Sequence, residues 1–393
     1  MAVPTAEAAV NAAKTAFSTA TITSAPTFIP RQVYEGSPQI VRSYFLGHHN
    51  AALSRMRRVL SNVGLVIECR DMRVPLSSIN PLLESSLMYD TDFRQRDSQG
   101  SRPTGGGGTG GRSRIIVYTH RDLIDKGRTT LRRKLEKFHQ QDSNSSVLFH
   151  GTGTEGRDTK DLLKEVKRIS DDYHSLSGMR ALVVGMPNAG KSTLLNRLRT
   201  QGKPGSSKVA KTGAEPGVTR KLGTPVRILP SDDNSEGVFV LDTPGVFIPY
   251  VSDPESMLKL ALVGCVKDGL INWVTVADYL LFQLNLHDPT GEVYREFCDT
   301  PTNEVHEFLT GVARRTGKLL KGSGESLDGA ADWVVRRWRN GALGRFALDQ
   351  VNDESLKDTR RKAREPPLSM NQARKREKET RRERSAAKHA QSL

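Results

Sequence analysis

Gly185-Met186-Pro187-Asn188-Ala189-Gly190-Lys191-Ser192 matches G-x-x-x-x-G-K-[ST] in full, and Thr193 follows it. The glycines let backbone N–H groups turn inward around phosphate oxygens, and a helix starting near Lys191 would aim its positive dipole end at them. Lys191 is placed to bridge β- and γ-phosphates and Ser192 to bind Mg2+, while Pro187, Asn188, Ala189, Gly190 and Thr193 complete the cradle. About 50 residues later, Val238-Phe239-Val240-Leu241 runs into Asp242-Thr243-Pro244-Gly245. A carboxylate at the end of a buried strand can hold the metal through water, and the Gly245 N–H can reach a γ-phosphate. Together, at this spacing, the two motifs indicate a nucleoside triphosphatase. Between them Pro216-Gly217-Val218-Thr219-Arg220 sits in a polar loop. There the Thr219 hydroxyl is the candidate switch ligand, binding Mg2+ only while a γ-phosphate is present.

The base needs its own reader. Guanine presents N1–H and an exocyclic amine as a pair of donors, which GTPases meet with the carboxylate of an N-K-x-D element after a strand. No such element follows Gly245, but before the cradle Ile115-Ile116-Val117-Tyr118 leads into Thr119-His120-Arg121-Asp122-Leu123. Adenine would offer Asp122 an acceptor and no amine, leaving a buried carboxylate unpaired at a cost of about 1–3 kcal/mol. Asp122 therefore argues for guanine. The final base contact, commonly a Ser-Ala backbone, falls at His150-Gly151.

These residues must be carried on strand ends. Leu65-Val66-Ile67, Ile115 to Tyr118, Val147 to Phe149, Ala181 to Val184, Val226 to Leu229 and Val238 to Leu241 read as buried strands. Helical spacing is found at Asn50–Val63, Thr129–Phe138 and Asp161–Tyr173. Strands alternating with amphipathic helices predict an α/β domain, with a mostly parallel sheet covered by helices. Beyond Tyr250 the strand signal fades, and Ser256–Leu284, Asn303–Lys321 and Gly329–Arg339 predict a small all-helical domain. The expected division is residues 1–33 as a transit or disordered segment, 34–252 as the nucleotide domain, 253–350 as the helical domain and 351–393 as a basic tail. Within the second, 90–112 is Gly-rich and too polar to offset its ordering entropy, so a flexible insertion is expected.

At 393 residues the chain can hold more than one core, and 59 Lys/Arg against 44 Asp/Glu leave a formal charge of +15. Leu356 to Leu393 holds 13 Lys/Arg against 5 Asp/Glu, so over half of the excess sits in a short tail suited to a polyanion or kept for solubility. Cys69, Cys265 and Cys298 lie far apart and make no C-x-x-C, so they support neither a zinc site nor a disulfide framework. No apolar run approaches the roughly 18–20 residues of a transmembrane helix. Residues 1–30 contain one acid, Glu7, and one base, Lys14, among many Ala, Ser and Thr, a composition shared by mitochondrial transit segments and unstructured termini.

The order base reader, cradle, switch threonine, D-T-P-G is a circular permutation of the usual GTPase order. The chain resembles the circularly permuted P-loop GTPases, and within them the bacterial ribosome biogenesis GTPase A and its mitochondrial ribosome-associated relatives. The resemblance runs from about Tyr44 to Asp349 and includes Asp71-Met72-Arg73-Val74-Pro75-Leu76-Ser77-Ser78-Ile79-Asn80-Pro81, similar to the family's D-A-R-x-P-x-S-x-x-N-P. Tyr44-Phe45-Leu46-Gly47-His48 is similar to its aromatic-F-P-G-H element. The resemblance implies GTP and Mg2+ as cofactors, slow intrinsic hydrolysis that ribosomes and K+ accelerate, and His48 as catalytic group in place of a glutamine, since Val246 follows Gly245. It implies Asn188 as a K+ ligand. It also implies large-subunit ribosomal RNA as partner, and a mitochondrial location in the matrix or peripherally on the matrix face of the inner membrane. Two alternatives stay open: a nucleotide-gated RNA-binding scaffold with negligible turnover, and the same GTPase in nuclear or nucleolar ribosome assembly, addressed by its basic tail. The chain departs from the family pattern at Thr119-His120 for Asn-Lys, at Leu46 for proline and at His150-Gly151 for Ser-Ala.

Overall fold

The computed structural model describes residues 28–36, 40–41, 43–44, 47–87, 113–125, 127–140, 145–153, 156–173, 177–202, 223–231, 236–251, 253–320, 324–364, 372, 375, 378–379 and 382. The expected 90–112 insertion, Thr219 with its loop, and residues 1–27 lie outside them, and of His48 only the backbone is described.

Helix α1 (Gly47–Val59) precedes strand β1 (Leu65–Asp71), helix α2 (Pro81–Leu87) and strand β2 (Ser113–Thr119). Helix α3 (Arg128–His139), strand β3 (Ser145–Phe149), helix α4 (Arg157–Tyr173), strand β4 (Met179–Gly185) and helix α5 (Lys191–Gly202) come next. Strands β5 (Val226–Leu229) and β6 (Val238–Asp242) complete a six-stranded sheet of order β3-β2-β1-β4-β6-β5. All neighbours run parallel except β5 against β6. Every residue of β1 is buried, as expected of a central strand covered on both faces. Because the parallel strands point one way, their carboxyl ends share one edge, and the register sets Asp71 beside Thr119 and Val183 beside Asp242. In open α/β sheets that edge is where ligands bind.

Strand β1 continues to Asp71, beyond the apolar Leu65-Val66-Ile67, because Glu68 and Arg70 are paired inside the fold. Arg70 donates to Glu68 (2.7 Å) and Glu84 (2.8 Å), and Arg114 donates to the same two carboxylates. Glu68 is thereby held down at about 2, the two guanidinium groups outweighing the opposing effect of burial.

Beyond the sheet lie helices α6 (Pro254–Leu262), α7 (Trp273–His287) and α8 (Val305–Thr316), the two-residue strands β7 (Leu319–Leu320) and β8 (Gly324–Glu325), and helices α9 (Leu327–Arg339) and α10 (Asp353–Arg364). The continuous helical stretch expected over Ser256–Leu284 is broken. Gly264 and Gly269 take left-handed φ of 84° and 83°, and the Asn272 side chain caps α7 by accepting from Val274 N–H. The stretch expected over Asn303–Lys321 stops at Thr316, where Gly317 turns left-handed and the chain enters a short hairpin. Helices α6 to α9 share one apolar core, which also takes in Tyr44, Val74, Met186 and Phe247 from the sheet side.

After α9 the chain returns to the sheet. Asp349 accepts from the Leu76 and Ser77 N–H groups (2.9 and 2.8 Å) and from the Ser77 hydroxyl (2.7 Å). Ala347 and Val351 pack on the cluster of Ile116, Tyr118, Leu135 and Phe149, so the start of the basic tail is seated against α3.

Candidate functional site

The cradle connects β4 to α5 without a spare residue. Gly185 has φ 146°, and a Cβ there would stand 2.4 Å from the Cys69 carbonyl oxygen of β1, so a side chain would push the loop off the sheet. Asn188 is left-handed at φ 55°, Pro187 and Ala189 are buried, and Thr193 is exposed on the first turn of α5. Lys191 is buried and donates to the carbonyl oxygens of Gly185 (3.3 Å) and Met186 (2.7 Å). Burial pulls its ammonium pKa down and the nearby Asp242 carboxylate opposes the pull.

Strand β6 brings Asp242 to this loop. Ser192 Oγ donates to Asp242 Oδ2 at 2.7 Å, while Asp242 Oδ1 is buried with no hydrogen-bond partner among the described residues. Burial raises the pKa of this carboxylate, against the hydroxyl and the ammonium beside it. A hydroxyl and an orphaned carboxylate oxygen at the mouth of a phosphate loop are the hard oxygen donors that suit Mg2+. The residues present fit the ion. Beyond Asp242, the Thr243 hydroxyl donates to the Val183 carbonyl (2.6 Å), and a Cβ on Gly245 would lie 2.5 Å from Pro187 Cα. The D-T-P-G turn is thus pressed on the cradle, and only glycine fits there. Val246 is fully buried; its N–H bonds the Gly185 carbonyl (3.2 Å) and its carbonyl accepts from Asn80 Nδ2 (2.8 Å).

On the other side, β2 delivers the candidate base reader. The Thr119 hydroxyl lies 3.1 Å from the Ala189 carbonyl and 3.0 Å from the Arg70 carbonyl, so threonine ties β2 to the cradle although Asn-Lys is missing. His120 is left-handed (φ 57°), with Nδ1 3.1 Å from Asp71 and 3.2 Å from Thr119 Oγ1. Asp122 is gripped by a residue that the motifs did not indicate. Thr152 donates its N–H to Oδ1 (3.0 Å) and its hydroxyl to Oδ2 (2.5 Å), which hold the carboxyl pKa below the usual range against burial. His150 is buried with Nε2 3.0 Å from Thr159 Oγ1, and Gly151 N–H bonds Asp158 (2.9 Å). From the cradle helix, Arg197 donates to the carbonyls of Gly151 (3.2 Å) and Thr152 (3.1 Å). The Asp122–Thr152 loops and the phosphate loop are therefore joined, through Thr119 and Arg197. Neither Thr152 nor Arg197 belongs to a short motif; the single cue to Arg197 is its helical spacing on α5.

The family model described as "50S ribosome-binding GTPase" matches residues 180–307, starting at the cradle strand. Mitochondrial GTPase 1 of Schizosaccharomyces pombe is 35% identical over 345 residues, spanning 84% of this chain and 95% of that protein. The chain belongs to this GTPase family. Mitochondrial ribosome-associated GTPase 1 of Mus musculus is 32% identical over 326 residues, 79% of this chain and 90% of its own length. The chain is also similar to the GNP-bound crystal structure of YlqF from T. maritima, at 22% identity and a TM-score of 0.46, over 76% of this chain and 98% of that one.

As a permuted GTPase, the chain enters its sheet at the base-reading half and leaves it at D-T-P-G. The exit leads straight to α6, and one cradle residue already touches the turn behind that helix: Asn188 Nδ2 donates to the Gly264 carbonyl at 2.7 Å. The D-M-R motif ties in the same region from the base side. Asp71 accepts from Arg73 Nε (3.0 Å) and Nη2 (2.7 Å), while Arg73 reaches the Arg339 carbonyl (3.3 Å) and lies 5.3 Å from the Trp338 ring centre.

Proposed function

We propose that this GTPase binds GTP with Mg2+ and hydrolyses it as an assembly factor for the mitochondrial large ribosomal subunit, docking on ribosomal RNA in a nucleotide-dependent way. The observation that carries the reading is the contact between Asn188 of the cradle and Gly264 of the helical region, directly after the D-T-P-G exit. A γ-phosphate-dependent shift at Gly245 would pass to that region without a long linker. Names of the relatives support the setting: mitochondrial GTPases in yeasts, a mitochondrial ribosome-associated GTPase in mouse.

In this reading Asp122 takes the guanine donors, and Thr119, His120, His150 and Gly151 line the base. Pro187 to Thr193 cradle the phosphates, with Lys191 on the β- and γ-phosphates. Ser192, Thr219 and Asp242 would hold Mg2+, which when bound neutralises charge developing on the transferred phosphoryl group. Val246 cannot orient water, so His48 takes the catalytic place and a K+ ion held by Asn188 adds positive charge; hydrolysis in K+ should exceed that in Na+. Sedimentation of tagged protein with mitochondrial ribosomal particles in GTP analogue or GDP tests the gating, and equal association in both would remove it. The buried Val246 also favours a second reading, a nucleotide-gated scaffold that barely turns over. Multiple-turnover phosphate release with ribosomal particles separates the two, and fusing residues 1–40 to a reporter separates a mitochondrial from a nuclear site of action.

A further inference from the structure

We propose that helices α3 and α10 together form one docking surface for the phosphate backbone of an A-form RNA helix. The proposal rests on the RNA-docking reading above and narrows it to one face, on the base-reading half of the sheet rather than on the helical region. Helix α3 carries five Lys/Arg against one glutamate, and α10 carries five against three acids. The two are joined where α10 is seated. Lys134 of α3 donates to the Val351 carbonyl (2.7 Å), and Arg360 of α10 donates to the Phe138 carbonyl and covers the Phe138 ring at 4.7 Å.

Of the four acids on the two helices, two are paired. Glu136 pairs with Arg132 (2.8 Å), Asp358 is shared by Arg361 and Lys362, and Asp353 and Glu354 occupy the first turn of α10. Arg128, Arg133, Lys137 and Lys357 are exposed and form no ion pair among the described residues. Arg133 and Lys137 lie four residues apart on one side of α3, about 6 Å along its axis. The chain beyond α10 continues the charge with Arg374-Lys375-Arg376 and Arg381-Arg382.

The chemistry of the face selects the kind of RNA. Unpaired RNA is recognised by stacking bases on open aromatic rings, whereas an A-form helix is met through phosphates and 2′-hydroxyls. Here the aromatic rings are capped by cations, Phe138 by Arg360 and Phe149 by Arg132 at 5.1 Å. The face presents positive charge without a stacking platform.

The test uses the full chain with a GTP analogue and a labelled RNA duplex of about 20 base pairs, long enough to present two successive minor grooves. Fluorescence anisotropy over a KCl series compares wild type with the double variant Arg133→Gln/Lys137→Gln, which leaves α10 and the tail intact. The expected result is roughly tenfold weaker duplex binding and a log–log salt slope shallower by about two. GTP hydrolysis should be unchanged and an unpaired RNA of equal length bound more weakly than the duplex. Wild type that binds RNA with a variant of equal affinity and slope would overturn this surface and leave the RNA-docking reading standing; wild type that binds neither RNA would overturn both. Preference for the unpaired strand would remove the A-form assignment. Flotation with phosphatidylcholine/phosphatidylglycerol vesicles supplies the remaining arm: vesicle binding lost in the variant, with duplex affinity intact, would make the face a lipid contact instead.

Discussion

In the proposed reading, nucleotide choice rests on Asp122 and its holder, Thr152. Thr152 uses both its donors on this carboxylate, fixing its plane and leaving further lone pairs to accept. Asp122→Asn would turn an acceptor toward the guanine donors into a donor. GTP affinity should fall about a hundredfold, and xanthosine triphosphate, whose C2 carbonyl accepts, should bind better than GTP; competition titrations measure both. His150 gives a second expectation. Burial, with the Arg197 guanidinium nearby, pushes its imidazole down to about 4. Below about pH 6.5 the unfolded chain takes up a proton that the folded chain refuses. Its contribution is therefore intact above that pH and is lost as pH falls toward 4. Urea midpoints should drop across that window, and His150→Gln should flatten that part of the profile.

Among the elements, the loop after β1 does more than any catalytic motif suggests. Asp71 meets His120, Arg73 reaches Trp338 and Arg339 of α9, Ser77 binds Asp349, and Asn80 holds the carbonyl of Val246 next to D-T-P-G. One loop thus connects the segment after β2, the D-T-P-G turn and the helical region. The Asp71–Arg73 pair is buried, and Arg73 together with His120 holds the Asp71 carboxyl far below its usual range despite desolvation. Arg73→Leu leaves that carboxylate only His120 and the backbone N–H at the substituted position, and should cost about 3–5 kcal/mol in urea unfolding. Changing both, Asp71→Asn/Arg73→Leu, should recover part of the loss, because no charge is then stranded.

Across the whole molecule, the chain order puts the exit from D-T-P-G beside the helical region. The switch strand β6 ends at Asp242, the turn is pressed on Pro187, and α6 begins at Pro254. The helical region is also tied back to the base-reading half through Arg73 and Asp349, so it spans the site from both ends. Exchange of GTP analogue for GDP should alter hydrogen-exchange protection in α6 and the Gly264 turn, and Asn188→Ala should reduce that difference while Lys191→Ala abolishes it. Unchanged protection of α6 in wild type would break the link between cradle and helical region.

The site was legible in the sequence wherever chemistry demands a residue type at a fixed short spacing: the cradle, D-T-P-G and the carboxylate at Asp122. Strand positions were legible from apolar runs, yet β1 outlasted its run because Glu68 and Arg70 neutralise each other only when Arg114 and Glu84 arrive from elsewhere in the chain. Thr119 as a brace, Thr152 and Arg197 as holders of the base loop, and α10 seated on α3 depend on contacts between residues far apart in the chain. Local pattern sets which backbone a segment prefers and which groups it can offer. Which buried donor meets which acceptor is decided only when the sheet order brings the strand ends to one edge.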